Sequence, residues 1–353
     1  MANILIRGPL LSHSGYGVHS RQIFRWIKNR GHKITVQLLP WGMTSWYLGK
    51  DRLDGLIGEI MESSAPPPGP IDISFQIQLP DEWDPTLAKV NVGVTAVVET
   101  TICSPKWIEA VNKMDAVVVP TEFCKKTLQD SGFCSTKIFV IPESFPDKLI
   151  SDKNENKTKF LNCKTKKNFL LFGQLTSPNP IDDRKNTENA IKWFCETFKG
   201  RKDVGLIVKT NMGTNSSIDK RVTKNKLTHL VHSIREGKYP KVHLLHGDLD
   251  ENNLKRLYLD KSLLGLISAT RGEGFGLPML EAAACGLPIM ATNWSGHLDF
   301  LNNGSWTKVD YTLENISNSR ADGRIFIPGS KWASPKEGHF KKCLQSLLKD
   351  SFQ

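Results

Sequence analysis

Apolar and polar positions along this chain switch repeatedly between a continuous run and a helical period, and each switch marks an element. Leu263–Ser268 (LLGLIS) is short, continuous and apolar, the pattern of a strand buried on both faces. It empties into the polar turn Ala269-Thr270-Arg271-Gly272-Glu273-Gly274. From about Phe275 to Cys285 the apolar positions Leu277, Leu280 and Ala284 recur at helical spacing. Gly286 supplies a C-cap, Pro288 forbids continuation, and Pro288–Ala291 predicts the next strand. Strand, glycine-rich turn, helix and strand make a βαβ unit. Its turn opens at the carboxyl end of the sheet, where open α/β sheets hold ligands.

The same alternation runs through the rest of the chain. Asn3–Arg7 predicts a strand, the loop LLSHSGYGVHS leads into an amphipathic helix ending near Asn29, and Lys33–Leu39 predicts a second strand. Strands follow at Ile71–Gln78, Val90–Val98, Asp115–Val119 and Lys137–Ile141, with helices after Pro105 and from Thr121. The stretch from Ala65 to Pro70 (APPPGP) is a PPII-like connector. From Pro142 to Lys167 the pattern lapses into Lys, Asn, Ser and Asp, which predicts an interdomain linker with a solvated basic face. Asn168–Phe172, the run GLIVKT and Lys241–His246 resume the strands, a helix is expected over Asn252–Leu259, and the tail from about Pro335 reads as another. Two α/β domains follow, residues 1–145 and 168–334 with a linker at 146–167, the ordinary solution for 353 residues.

Seven cysteines, odd in number and without a C-x-x-C pair, predict reduced thiols in a cytoplasmic protein, against a disulfide framework or a zinc site. The apolar run in MANILIRG is too short for a signal peptide, and no stretch approaches the ~18 apolar residues of a membrane span. The net charge of +11 lies entirely beyond residue 150, since the first 150 residues balance at 15 basic and 15 acidic. A basic half invites nucleic acid or an anionic membrane; it reads equally as a solvated face that also handles a small anion.

Candidate chemistry concentrates at the loops. Glycines in the 272–276 turn let backbone N–H groups approach a phosphate at the positive end of a helix dipole. Glu273 and Glu281 frame that turn, roughly 12 Å apart if every step between them is helical. Taken singly, the first reads as a helix N-terminal charge and the second as a solvated helix residue. The loop Gly15-Tyr16-Gly17 lacks the third glycine of a dinucleotide fingerprint, and Pro40-Trp41 stand where the ribose acid belongs, so a nicotinamide site is rejected. Trp41, Trp46 and Tyr47 either stack on sugar rings or cap a core edge. Arg184, Lys185 and Lys209 follow predicted strands or end them, and together they make an anion clamp. Asp248-Leu249-Asp250 spells a metal-binding D-x-D, but it precedes a helix with capping-box spacing and reads as a cap.

The string EGFGLPMLE (Glu273–Glu281) followed by ACGLP (Ala284–Pro288) resembles the donor-site signature of family 4 glycosyltransferases. The run from Glu99 through Pro105, Trp107, Asn112, Asp115, Val119-Pro120-Thr121 and Val140-Ile141-Pro142 is similar to the second half of that family's N-terminal domain. The resemblance implies the α/β GT-B fold: two Rossmann-like domains facing across a cleft, with the C-terminal helix, about 335–353, returning to the first. It implies retaining transfer from a nucleotide-diphosphate sugar; with no metal-ligand cluster in the sequence and Asp248 and Asp250 read as a cap, neither a cofactor nor a metal is expected. Glu273 then meets the donor sugar, Glu281 the ribose, and Gly274, Phe275, Gly276 and Leu277 the phosphates. Arg184, Lys185 and Lys209 grip the diphosphate, Gly15-Tyr16-Gly17 face it, and Glu99 lines the acceptor side. Glu273 and Lys185 are the expected catalytic residues. Gln174 departs from the pattern, standing where the family has an Arg. Two other functions stay open: a glycosyltransferase acting on nucleic acid, and a sugar-nucleotide-binding protein without turnover. The acceptor (saccharide, lipid, protein or nucleic acid) is not named by these motifs.

Overall fold

Ile4, Leu5 and Ile6 are all buried in the first strand, as a continuous apolar run requires of a strand covered on both faces. The computed structural model describes residues 1–67, 69–150, 157–177 and 179–350, with the side chain of Asp350 left aside. The chain divides into two units, residues 1–144 with 321–330, and residues 145–320 with 331–353.

The first unit runs β1 (Asn3–Gly8), α1 (Gly15–Lys28), β2 (Lys33–Leu38), α2 (Leu56–Glu62), β3 (Ile73–Ile77), β4 (Val90–Val94), α3 (Pro105–Val111), β5 (Ala116–Val119), α4 (Glu122–Ser131) and β6 (Ile138–Val140). Its six strands are parallel, in the order β2-β1-β3-β4-β5-β6. Helix α1 starts where the hydroxyl of Ser14 accepts the Gly17 N–H at 3.0 Å. A Cβ on Gly17 would lie 2.2 Å from the Ser12 carbonyl oxygen, so that close approach demands glycine. Strand β4 is shorter than the Val90–Val98 expected. Val97 takes φ 56°, a left-handed conformation costly for a β-branched residue, and that breaks the extension.

The second unit runs β7 (Lys167–Phe172), α5 (Thr187–Thr197), β8 (Val204–Thr210), α6 (Ser217–Ile234), β9 (Lys241–His246), α7 (Glu251–Tyr258), β10 (Leu263–Ser268), α8 (Leu277–Ala284), β11 (Ile289–Thr292), α9 (Leu298–Leu301) and β12 (Thr307–Val309). These strands are also all parallel, in the order β12-β11-β10-β7-β8-β9. An antiparallel pair, β13 (Tyr311–Asn315) with β14 (Lys331–Pro335), and α10 (Glu337–Asp350) complete it. One face of the sheet buries Phe169, Phe194 and Ile267, the other Leu170, Leu266 and Ile289. The alternation of strand side chains therefore feeds two cores.

Two expectations need correction. The terminal helix belongs to the second unit: Phe340, Leu344 and Leu348 of α10 are buried there, with the Phe340 ring 5.2 Å from that of Trp193 on α5. The segment that joins the first unit is Ala321–Ser330, where Arg324 reaches Asp81 at 2.6 Å and Glu82 at 2.7 Å. The stretch 146–167 is also more than a solvated linker. The backbone N–H groups of Phe160 and Leu161 both donate to Asp260 at 2.7 Å, and both side chains pack against the core. Residues 151–156 of that linker, Pro68 of the PPII-like connector, Pro178 of the loop after β7 and the last three residues of the tail lie outside the described residues.

Phe340 shows 0 % exposure, so truncation leaves a cavity between α10 and α5. Phe340→Ala should lower the second unit's unfolding free energy by about 3–5 kcal/mol. Urea unfolding followed by tryptophan fluorescence measures it, and an unchanged midpoint would contradict the packing.

Candidate functional site

The turn after β10 is shaped by backbone packing against the following loop. Gly276 takes φ 101° as the N-cap of α8, and a Cβ there would press at 3.0 Å on both His297 and Met279. A Cβ on Gly296 would lie 2.0 Å from the Gly274 carbonyl oxygen, so the 293–297 loop lies directly against the turn. Ser295 holds φ 90°, a strained position for a non-glycine residue, and its hydroxyl accepts the Glu273 N–H at 2.8 Å. His297 is fully buried; its Nε2 donates to the Thr292 carbonyl at 2.7 Å, and burial depresses its pKa. Among the described residues the N–H groups of Phe275, Gly276 and Leu277 make no hydrogen bond. They are the free donors of a helix start without a side-chain cap.

Glu273 is 6 % exposed and is the hub of the site. Lys185 Nζ reaches its two carboxylate oxygens at 2.6 and 2.8 Å, and Arg184 Nη1 reaches Oε2 at 3.2 Å. Burial raises the carboxyl pKa, but Lys185 and Arg184 beside it outweigh burial and hold it at about 2. Arg184 also donates to the Gly272 carbonyl at 2.6 Å, while its own carbonyl accepts from Arg271 N at 2.8 Å. The basic pair lies in the loop before α5, which begins only at Thr187. Asp183 sets that loop by accepting from Lys185 N at 2.9 Å and Thr187 N at 2.7 Å. On the far side the guanidinium of Arg271 lies 5.4 Å from the ring of buried Trp332.

Glu281 lies on α8, partly buried, and accepts a hydrogen bond from the Tyr258 hydroxyl at 3.1 Å. Burial pushes its pKa up to about 7, with the Tyr258 bond pulling the other way. The structure thus gives the two glutamates opposite electrostatics: one fixed as a carboxylate, one poised near neutrality. Lys209, at the end of β8, donates to the Gly247 carbonyl, and burial lowers its pKa. Gln174 follows Gly173, whose backbone packs so closely on Thr187 that a Cβ would fall 2.5 Å from Thr187 Cγ2. It opens on a cavity of about 290 Å³ shared with Asp182, Arg184 and Arg320.

The D-x-D divides its duties. Asp250 caps α7, accepting from Asn253 N at 2.7 Å, whereas Asp248 pairs with Asn215. Of the D-x-D read as a cap, Asp250 alone takes that role. In the first unit, Tyr16 directs its hydroxyl to Thr95 at 3.0 Å and to the Ala96 N–H at 3.0 Å, and Trp41 stacks on its ring. Gly15, Tyr16 and Gly17 thus hold the α1 start and the loop after β4, the loop that carries Glu99. Sequence reasoning missed Asp183 and Tyr258; the stretch from Asn293 to Asp299 resembles a family loop beyond the strand, but Ser295 and His297 within it were given no role. The aspartate four residues before the helix start was a readable signal for the first, and the others are meetings of distant segments.

Residues 155–317 match the family described as glycosyl transferases group 1. Sucrose synthase of Solanum tuberosum is 26% identical over 212 residues, which are 56% of this chain and 24% of that protein. The chain thus spans about a quarter of the length of that relative. Anabaena HepE, solved with UDP and glucose, superposes with a TM-score of 0.63 at 13% identity, covering 99% of this chain and 91% of its own. Sucrose-phosphate synthase from Thermosynechococcus elongatus gives 0.62 at 14% identity, covering 99% and 90%. Both likenesses carry the fold of two Rossmann-like domains.

The depressed pKa of Glu273 has a stability consequence. A carboxyl lowered from 4.5 to about 2 stabilises the fold fully above pH 4.5 and loses that contribution as pH falls toward 2. The contribution is of the order of 3 kcal/mol. Glu273→Gln should therefore be less stable at neutral pH, and its deficit against the wild type should shrink between about pH 5 and pH 3. Urea titrations at stepped pH measure this, and a deficit that stayed constant would contradict the pairing.

Proposed function

Taking as premise that this chain belongs to the group 1 glycosyltransferases through residues 155–317, we propose that it moves a sugar from a nucleoside-diphosphate sugar to an acceptor hydroxyl with retention. The observation that carries the reading is the free helix start at Phe275-Gly276-Leu277, set between a buried ion cluster at Glu273 and the partly buried Glu281. Unpaired N–H groups at a helix N-terminus stabilise an anionic diphosphate. Lys185 and Arg184 set two cations against the one charge of Glu273 in that ion cluster.

In this reading the C1–O bond to the diphosphate breaks while a bond from the acceptor oxygen to C1 forms on the same face. The acceptor proton passes to the departing phosphate oxygen. The protein's part is to hold charge as it develops on the leaving group, through the α8 N–H groups, Lys185 and Arg184. Glu273 orients Lys185 and accepts bonds from the sugar hydroxyls; Glu281 accepts them from the ribose. Lys209 lends positive potential beside the Gly247 turn. Gly274 contributes backbone to the turn, and Glu99 is assigned to the acceptor. HepE was solved with UDP-glucose, so UDP-glucose is the first donor to try. Seven free cysteines favour a reducing, cytoplasmic setting.

The decisive experiment is calorimetry with UDP and UDP-glucose on two variants. Glu281→Ala should weaken both ligands alike, because ribose is common to them. Glu273→Ala should weaken UDP-glucose more than UDP and lower turnover. Equal losses in both variants would overturn the assignment of the glutamates, and no binding of any sugar nucleotide would overturn the function.

The raised pKa of Glu281 adds a pH test. A carboxyl near 7 accepts ribose hydrogen bonds best once ionised, and a sugar nucleotide's doubly esterified diphosphate loses no proton near neutrality. UDP-glucose affinity should rise about 10-fold from pH ~6 to ~8 in the wild type. Glu281→Gln should bind more weakly and show no such rise. A wild-type affinity independent of pH would remove Glu281 from the ribose.

A further inference from the structure

Strand β9 ends the second unit's sheet, and among the described residues it pairs with β8 on one side only. A groove of about 580 Å³ runs beside it. Consecutive strand residues point to opposite faces, yet all of residues 241–245 line this groove, so it follows the strand's open edge and not one face. Five residues give a channel of roughly 16 Å. Its two walls differ. The α6 wall carries Lys220, Lys224 and His232 at its rim above Leu227 and Val231, with Arg235 just past its end; the other carries Leu161, Ile207 and Leu245. Lys241 adds positive charge from the strand itself, while burial and the neighbouring Lys241 lower the pKa of His243 and keep it neutral; among the described residues no carboxylate lines the groove. The acid of α6, Asp219, is buried and holds His246 at 2.6 Å.

We propose that this edge is a docking groove for an extended acidic peptide, which adds to the sheet beside β9. An unpaired edge offers alternating N–H and C=O groups that a strand can satisfy. A segment alternating acidic and apolar residues places its carboxylates on the α6 lysines and its apolar side chains against Leu161 and Leu245. A second copy of this chain, pairing β9 with β9, would bring the two cationic walls together and be repelled. Nucleic acid is disfavoured because among the described residues no Phe, Tyr or Trp lines the groove to stack a base. The groove is separate from the residues assigned to the donor.

The test uses a dye-labelled, acetylated peptide of alternating Glu and Val, titrated by fluorescence anisotropy in about 0.15 M salt. Adjacent amides of a strand face opposite edges, so two isomers N-methylated at alternate positions separate strand addition from simple charge attraction. One isomer should lose at least about 10-fold in affinity and the other should bind as the parent does. Lys220→Glu with Lys224→Glu, both at exposed positions, should also lose at least about 10-fold with an unchanged melting temperature and unchanged UDP-glucose binding. The proposal is overturned by no peptide binding up to about 1 mM, by two isomers of equal affinity, or by wild-type affinity in the double variant. Tighter binding of an oligothymidylate or an anionic vesicle than of the peptide overturns it too.

Discussion

A carboxylate at 6 % exposure is costly to keep charged, and the second unit's loops are arranged around meeting that cost. Glu273 takes two bonds from Lys185 and one from Arg184, so the loop before α5 is tied to the turn after β10. Its backbone ties the same turn to the 293–297 loop, through the Ser295 hydroxyl and through Gly296 N, which donates to its carbonyl at 2.9 Å. Three loops that meet at the carboxyl ends of the strands are thus fixed by one residue. The strain at Ser295 and the close approaches at Gly276 and Gly296 persist because this cluster over-determines them.

That cluster also changes what the basic pair can do. On a regular helix, adjacent residues point about 100° apart, and Arg184 and Lys185 would then serve separate ends of a ligand. They sit instead in a loop held by Asp183, and both close on Glu273. A ligand anion entering here meets two cations already oriented and partly neutralised. Orientation is settled before binding, so little side-chain entropy remains to be lost. Removing Glu273 would strip Lys185 of two carboxylate bonds while Arg184 keeps its bond to the Gly272 carbonyl.

Much of this was legible in the residues. The LLGLIS run, the glycine-rich turn and the Gly286-Leu287-Pro288 stop placed β10, α8 and β11 to within two residues, because each boundary has a local cause. The alternating βα pattern likewise foretold two parallel sheets. The C-terminal helix was misplaced because its apolar face fits any groove, and only the fit of Phe340 beside Trp193 decides which. The stretch between β12 and α10 was unread; its short strands pair across a gap of fifteen residues, with no turn signal joining them. The pairing of Glu281 with Tyr258 joins positions 23 residues apart on different helices, and no period reveals it.

Charge shows the limit of composition most clearly. The excess beyond residue 150 invites a polyanion as partner, yet the cations nearest the proposed donor contribute little to it, since Glu273 offsets one of the two. Helix α6 carries part of the excess: Lys220, Arg221, Lys224 and Lys226 stand against one acid that is turned inward. Exposed surface charge costs little to maintain, so a basic helix alone specifies no function. What gives Lys220 and Lys224 meaning is their position along one wall of the sheet's edge strand, where hydrogen-bond donors and acceptors coincide with charge. Net charge, summed over the chain, merges that wall with the paired and partly neutral cluster at Glu273. Only the fold separates the two, assigning one set of cations to a buried carboxylate and leaving the other facing solvent.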